Sequence, residues 1–285
     1  MVADRRSSLP SNPKPTPSKE LTTRILSALV MIAAALMTAY WGGWPFALFW
    51  LAAGIAIMVE WTGMTGLEPR RPVQGVLALG LAALTGLFLS DAGIALFLAV
   101  GLFFMVAGVL VTRNASGRVW AASGFLYAAP IVLVPPIVRD HLELGILGLL
   151  WMFAVVWATD IAAYFTGRSL GGPKLCPPIS PKKTWSGFIG GVAAAAAAGF
   201  LVAWGGGRYG LSLPVSLSGI TLLSVIASVA SQLGDLGESA LKRHCDVKDS
   251  SHLIPGHGGV MDRLDGFWAV CLIVATVLLA IHFTA

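Results

Sequence analysis

Residues 239–265 read SALKRHCDVKDSSHLIPGHGGVMDRLD, and this polar stretch stands between two apolar runs, 213–230 and 267–283. It holds Lys242, Arg243, Lys248 and Arg263, the acids Asp246, Asp249, Asp262 and Asp265, and His244, His252 and His257. Pro255, Gly256, Gly258 and Gly259 give it a backbone that turns sharply. A run that crosses a bilayer as a helix needs about 20 mostly apolar residues. The two flanking runs are of that kind, so the stretch reads as chemistry held at a membrane surface by a hydrophobic scaffold.

Working outward, nine segments have this length and character: 24–41, 44–63, 73–90, 92–112, 119–138, 144–166, 187–204, 213–234 and 266–284. The fold expected is all-α, a polytopic bundle of about nine transmembrane helices forming a single domain over 24–285. Two polar loops, 167–186 and 235–265, interrupt it. Residues 1–23 are polar, with Pro10, Pro13, Pro15 and Pro17, and read as a disordered tail. The first apolar run leads directly into a second, so it reads as a retained span and not as a cleaved signal. Ala193–Ala198 with Gly187, Gly190 and Gly191 suit close helix packing, and such small-residue faces allow a homodimer.

Composition agrees. The chain of 285 residues is 56% hydrophobic and 12% charged, with a mean hydropathy of +0.79, whereas soluble domains carry roughly 25% charged residues. The net charge of +5 does not point to nucleic acid in so apolar a chain. With the N-terminus in the cytoplasm, 17 of the Lys and Arg residues fall in inside segments, and only Arg139 and Arg208 fall outside. That bias predicts a cytoplasmic N-terminus, an external C-terminus and both polar loops on the cytoplasmic face. Cys176, Cys245 and Cys271 form no CxxC, which predicts neither a disulfide nor a zinc site.

Asp235 closes an apolar run, where a carboxylate costs roughly 2.5–3.5 kcal/mol if it is central and less near the edge. On a helix, Asp235, Ser239 and Lys242 or Arg243 share one face. Asp235 is therefore either an interfacial acid paired with Lys242 or Arg243, or a metal ligand with cations beyond it to receive phosphate. Asp262 and Asp265, three apart at the mouth of the last span, are either helix caps or further oxygen ligands. Together the three acids suit Mg²⁺, which takes one or two carboxylates plus phosphate oxygens and water. His257–Gly258–Gly259 could bind zinc, but with no Cys or second His nearby at ligand spacing it reads as a turn beside a phosphate, its backbone N–H groups meeting that anion. Glu60, near the end of the second span, is a structural hydrogen-bond partner, a proton carrier or a site wall.

In the other loop Asp160, Tyr164 and Arg168 repeat every four residues, forming one polar face of the sixth span. Ser180-Pro-Lys182-Lys183-Thr184 then sets two ammonium groups and two hydroxyls before the seventh. These lysines either contact lipid headgroups or cradle a triphosphate. No GxxxxGK[ST] occurs, so this is not a P-loop. Carboxylates, a divalent ion and clustered cations at a membrane point to phosphoryl or nucleotidyl transfer between a soluble substrate and a lipid.

The run Ser239-Ala-Leu-Lys242-Arg243, Lys248-Asp249, Pro255, His257-Gly258-Gly259 and Asp262-Arg263-Leu264-Asp265 resembles the signature of the phosphatidate cytidylyltransferases. DIAAYFTGR (160–168) and ISPKKTW (179–185) resemble that family's upstream blocks, so the resemblance covers about residues 150–270. Ser186 departs from it, standing where a Glu is expected. The resemblance implies that CTP and phosphatidic acid give CDP-diacylglycerol and pyrophosphate, at the inner membrane of a bacterium. It implies Asp235 and Asp262 as Mg²⁺ ligands, room for a second ion such as K⁺, and Asp265, Lys242 and Arg263 in catalytic roles. Ser180, Lys182, Lys183, Thr184, Ser239, Arg243, Lys248, Asp249, His257, Gly258, Gly259, Asp160, Tyr164 and Arg168 are implied to bind the substrates.

Two rivals remain at this level. A CTP-dependent lipid-alcohol kinase would use Asp160 or Asp249 as a base. A transporter would line an ion path with Glu60, Asp160 and Asp235, but the acids gather at one face and do not span the midplane.

Overall fold

The computed structural model describes residues 17–284, with side chains described for 21–280. Among the described residues there are nine long helices: α1 (Pro17–Trp41), α2 (Gly43–Met64), α3 (Arg70–Leu89), α4 (Ile94–Val111), α5 (Ala115–Asp140), α6 (Gly145–Leu170), α7 (Trp185–Arg208), α8 (Leu217–His244) and α9 (Met261–Thr284). Each has a segment long and apolar enough to cross a membrane. Helices that are apolar nearly all round are stable here because lipid solvates their outer faces while each backbone satisfies its own hydrogen bonds. α5 carries Pro130, Pro135 and Pro136 in its interior, each of which removes one intrahelical hydrogen bond.

The number of spans matches the expectation, but the boundaries differ where the chemistry lies. α8 runs ten residues past the apolar segment that ends at 234. Its last turns are held by a Glu238–Lys242 pair four residues apart and by Lys242, Arg243 and His244 at the negative end of the helix dipole. α9 begins at Met261, five residues before the expected 266, with Asp262 in its positive first turn. The expected loop 235–265 therefore shrinks to 245–260. The other expected loop, 167–186, is divided between the end of α6, a hairpin and the start of α7. That hairpin, β1 (Lys174–Cys176) with antiparallel β2 (Ser180–Thr184), is the one small sheet among the described residues and was not anticipated. The tail expected over 1–23 is corrected at its end: residues 17–23 already belong to α1, since Pro17 fixes a helical φ at a first-turn position. Residues 1–16 lie outside the described residues, as does the side chain of His282.

Glycines set how closely the helices approach. A Cβ on Gly190 would meet Thr166 Oγ1 at 2.3 Å, and one on Gly191 would meet the Thr159 carbonyl at 3.0 Å, so the small face of α7 is taken up by α6. The same is true of α8 and α9, where a Cβ on Gly234 would lie 2.7 Å from the Asp265 carbonyl oxygen and one on Gly266 2.4 Å from Ser231 Oγ. Trp50, Phe153 and Phe267 stack at the centre, with ring centroids 5.2–6.4 Å apart. Buried polar contacts tie α6 to α8: Trp151 Nε1 donates to Ser224 Oγ at 2.8 Å, and Thr159 Oγ1 lies 2.8 Å from Ser228 Oγ. These elements bring the hairpin, the end of α2 and the α8–α9 junction to one end of the bundle.

Candidate active site

The site is built on the facing surfaces of α8 and α9, which run antiparallel in close contact across Gly234 and Gly266. Lys242 donates to Asp262 Oδ1 at 2.6 Å and lies 3.4 Å from Glu238 Oε1. One turn further along, Glu238 and Asp265 bring their carboxyl groups into mutual contact. Asp235 comes next on α8, within electrostatic range of Asp265. Asp160 of α6 joins the group, its charged neighbours being Asp265, Asp235, Lys183 and Arg263.

Asp235 finds its counter-charge in Lys183 of β2, at 2.5 Å. The alternative of a pair with Lys242 or Arg243 fails on distance, since seven or eight residues of helix place them about 10–12 Å further along the axis. Successive strand residues point to opposite sides. Lys183 therefore reaches the carboxylates while Lys182 is exposed. Ser239 Oγ adds a long contact to Asp235 Oδ1 at 3.4 Å.

Asp262 Oδ2 accepts from the Ser250 and Gly259 amides at 2.9 Å and from Ser250 Oγ at 3.0 Å. The turn expected beside a phosphate instead turns the Gly259 amide onto the protein's own Asp262. Glycine is needed at 259 because a Cβ there would fall 2.0 Å from Ser250 Oγ and 2.7 Å from both Glu60 oxygens. The structure decides among the readings of Glu60. It is 2% exposed and accepts from Ser250 Oγ at 3.1 Å, Ser251 Oγ at 2.7 Å and the Val260 and Met261 amides at 2.8 Å. It is a hydrogen-bond clamp that fastens the start of α9 to α2.

Other implied residues serve local structure here. Thr184 caps α7, accepting from the Gly187 amide at 3.2 Å, and Ser186 donates to the Gly171 carbonyl. Arg168 donates to Tyr164 Oη at 2.8 Å on an exposed face of α6. Arg243 is exposed and reaches the Val247 carbonyl at 3.4 Å. Arg263 donates through Nε and Nη2 to the His257 carbonyl at 3.1 and 2.9 Å. Ser180 lies in β2 opposite Cys176. Lys248, Asp249, His257 and Gly258 line a separate cavity beside the turn. Burial lowers the His257 pKa below its usual value, as does the positive charge of Arg263.

Glu238 is the residue that reading the sequence missed. Its spacing was the available signal, three residues after Asp235 and four before Lys242 on the same helix. It is 3% exposed, and neither carboxylate oxygen has a hydrogen-bond donor. Tyr127 Oη, Ser231 Oγ and Trp268 Nε1 are likewise buried without a partner. Of these, the Glu238 carboxylate is the hard oxygen ligand that fits a divalent cation, whereas the Trp268 N–H can only donate a hydrogen bond. Among the described residues, no three His, Cys, Asp or Glu side chains form a ready-made ion cage.

Comparison with known proteins bears on this arrangement. The sequence pattern of the cytidylyltransferase family matches residues 22–281. The chain is 43% identical over 258 residues to the phosphatidate cytidylyltransferase of Brucella suis biovar 1, covering 89% of this chain and 92% of that protein. It is 34% identical over 280 residues to the protein of the same name from Haemophilus influenzae, covering 87% and 95%. The Staphylococcus saprophyticus protein of that name is 29% identical over 269 residues, covering 92% of this chain and the whole of that one. With the match running from α1 through α9, the chain belongs to the cytidylyltransferase family.

Proposed function

We propose that the protein transfers the cytidylyl group of CTP to the phosphate of phosphatidate, giving CDP-diacylglycerol and pyrophosphate, at the α8–α9 face. The shared name of relatives aligned along nearly the whole chain supports the reaction. One structural observation supports its location. Asp160, Asp235 and Asp265 gather with Lys183 and Arg263 from helices and a hairpin distant in sequence.

A phosphate oxygen of phosphatidate forms a bond to the α-phosphorus of CTP, the bond from that phosphorus to the bridging oxygen breaks, and pyrophosphate leaves with the electron pair. The attacking phosphate is already ionised, so no side chain has to remove a proton. Lys183, Lys242 and Arg263 set positive charge where charge builds up during transfer. Lys183 and Lys242, which neutralise Asp235 and Asp262 here, are placed to turn toward substrate phosphates. Lys248, Lys182, Arg243 and Ser180 are assigned to phosphates arriving from water. Glu60 holds the 250–261 segment so that Asp262 and Arg263 stay aligned.

Family membership implies a divalent metal, taken here as Mg²⁺, with K⁺ as a second ion. Asp235 would hold Mg²⁺, with Asp265 and Glu238 beside it, whereas Asp262 is engaged by Lys242, Ser250 and Gly259 further along the two helices. When bound, the ion supplies positive charge to the phosphate oxygens. The 17-to-two distribution of Lys and Arg supports a site on the cytoplasmic side of a bacterial plasma membrane.

Purified protein given phosphatidate, Mg²⁺ and CTP labelled at either the α- or the γ-phosphorus tests this. Label from the α-position is expected in the lipid, with one pyrophosphate released per turnover. Label from the γ-position in the lipid would replace this reading with a lipid kinase.

A further inference from the structure

Tyr127 of α5 is 8% exposed, and its Oη has no hydrogen-bond partner among the described residues. Its ring is held by two others. Trp268 of α9 stacks on it, with centroids 4.6 Å and planes 15° apart, and the ring of Trp61 of α2 is centred 5.3 Å away. Trp61 is itself pinned: its Nε1 donates to the Trp120 carbonyl at 2.9 Å. Its indole also lies against Gly124 of α5, where a Cβ would fall 2.6 Å from Cδ1. A phenol oxygen lies on the axis of its ring, so even a ring flip leaves it in place. Tyr127 Oη is a fixed point in the protein interior.

That point faces acids. The strongest charged neighbour of Tyr127 is Glu238 of α8, followed by Asp265, Asp262 and Glu60. Three of these four already have donors. Glu60 has the clamp of residues 250–261, Asp262 has Lys242, Ser250 and Gly259, and Asp265 accepts from the Gly266 amide at 2.8 Å. Glu238 has none: it is 3% exposed, and neither oxygen receives a hydrogen bond. A phenol O–H donates well to a carboxylate, because the charge on the acceptor strengthens the bond. It also carries no charge of its own, so it can support an acid without repelling a cation. A buried hydroxyl with no partner costs stability, and phenylalanine would keep the ring contacts without that cost. The hydroxyl is therefore to be explained by a bond made during function.

We infer that Tyr127 is a positioning residue of the reaction, its phenol holding the Glu238 carboxylate, directly or through one water, so that it faces a divalent cation beside Asp235 and Asp265. This rests on the proposed reaction and its metal. Oη cannot move, whereas Glu238 turns about its side-chain bonds, so the carboxylate comes to the hydroxyl. Glu238 now leans on the Asp265 carboxyl. With Asp265 engaged by a cation, the phenol supplies the donor that Glu238 lacks. A hydrogen-bond partner that orients a metal-binding side chain in this way is typically worth about 10- to 100-fold in metal affinity or activity.

Tyr127→Phe removes Oη and keeps the contacts with Trp61 and Trp268, whereas Tyr127→Leu removes both. The test melts the full chain in detergent over a series of Mg²⁺ concentrations, without CTP so that no Mg²⁺ is carried by nucleotide. Wild type should gain melting temperature with Mg²⁺, and Tyr127→Phe should need at least about tenfold more Mg²⁺ for the same gain. In EDTA, Tyr127→Phe should melt at or above wild type, since it loses an unpartnered hydroxyl, and Tyr127→Leu should melt below it. In micelles with CTP and phosphatidate, the Mg²⁺ needed for half-maximal turnover of Tyr127→Phe should rise by the same factor. KM for phosphatidate at saturating Mg²⁺ should stay within about twofold, as for a group that does not touch the lipid. Glu238→Gln should also raise the Mg²⁺ requirement, and adding Tyr127→Phe to it should change that requirement by less than about twofold. Additive shifts in the double variant would place the partner of the phenol elsewhere and overturn the inference. An unchanged Mg²⁺ requirement in Tyr127→Phe overturns it too, as does a wild type whose melting does not respond to Mg²⁺. A wild type that shows the Mg²⁺ response, and loses it in Tyr127→Phe, but forms no CDP-diacylglycerol overturns only the proposed reaction.

Discussion

Lys183 of the hairpin holds the Asp235 carboxylate of α8 at 2.5 Å, while the adjacent Lys182 is exposed. Two lysines that look equivalent in sequence therefore differ in consequence. Lys183→Ala should lower turnover by on the order of a hundredfold, the scale of losing one donor aimed at developing charge. Lys182→Ala should stay within a few-fold. Equal losses in the two variants, measured as CDP-diacylglycerol formed in micelles, would refute the distinction.

Asp235 and Asp262 should separate by stability. Asp235→Asn and Asp262→Asn are both expected to abolish turnover at saturating Mg²⁺. Asp262→Asn should also lower the melting temperature, because it weakens contacts with Lys242, Ser250 and Gly259. Asp235→Asn loses the Lys183 ion pair, which is part-exposed, and should melt within a few degrees of wild type. Near-normal turnover in either variant would remove it from the reaction.

Glu60→Ala leaves the hydroxyl of Ser251 and the amides of Val260 and Met261 without their acceptor, while Ser250 Oγ keeps Asp262. Each buried donor left unpaired costs about 1–3 kcal/mol, so a loss of about 3 kcal/mol or more is expected. Thermal unfolding in detergent reads this directly. Turnover should fall with it, since Asp262 and Arg263 follow immediately in the chain. Wild-type stability would show that Glu60 is not the clamp described.

Gly234→Ala tests the α8–α9 approach. The added methyl would stand 2.7 Å from a backbone oxygen, that of Asp265, which cannot turn aside as a side chain would. The helices must separate, at a cost of about 1–3 kcal/mol typical of overpacking, and turnover should fall along with the melting temperature. Gly237→Ala, on the same helix with nothing within 4 Å of the added Cβ, should be tolerated and serves as the control.

The helical scaffold was legible because apolar length is a local property of sequence, and all nine spans could be counted from it. The ends of α8 and α9 were not, since Lys242 and Asp262 are charged yet remain helical by pairing with each other. Hydropathy has no way to represent that compensation. The hairpin escaped notice because ISPKKT has no alternating apolar pattern. The acids and bases of the site were readable as a set, but their partners were not. Lys183 with Asp235 and Glu60 with Met261 are contacts of tertiary structure, and Glu238 lay hidden between residues already chosen.

The Glu60 clamp has a bearing on how the protein is made. The four donors to the α2 carboxylate, at residues 250–261, leave the ribosome 190–201 residues after Glu60 itself. For most of synthesis the membrane therefore hosts an acid awaiting its partners. Until α9 docks, the buried end of α2 has none of these donors, so the two helices complete each other only once both are in the membrane.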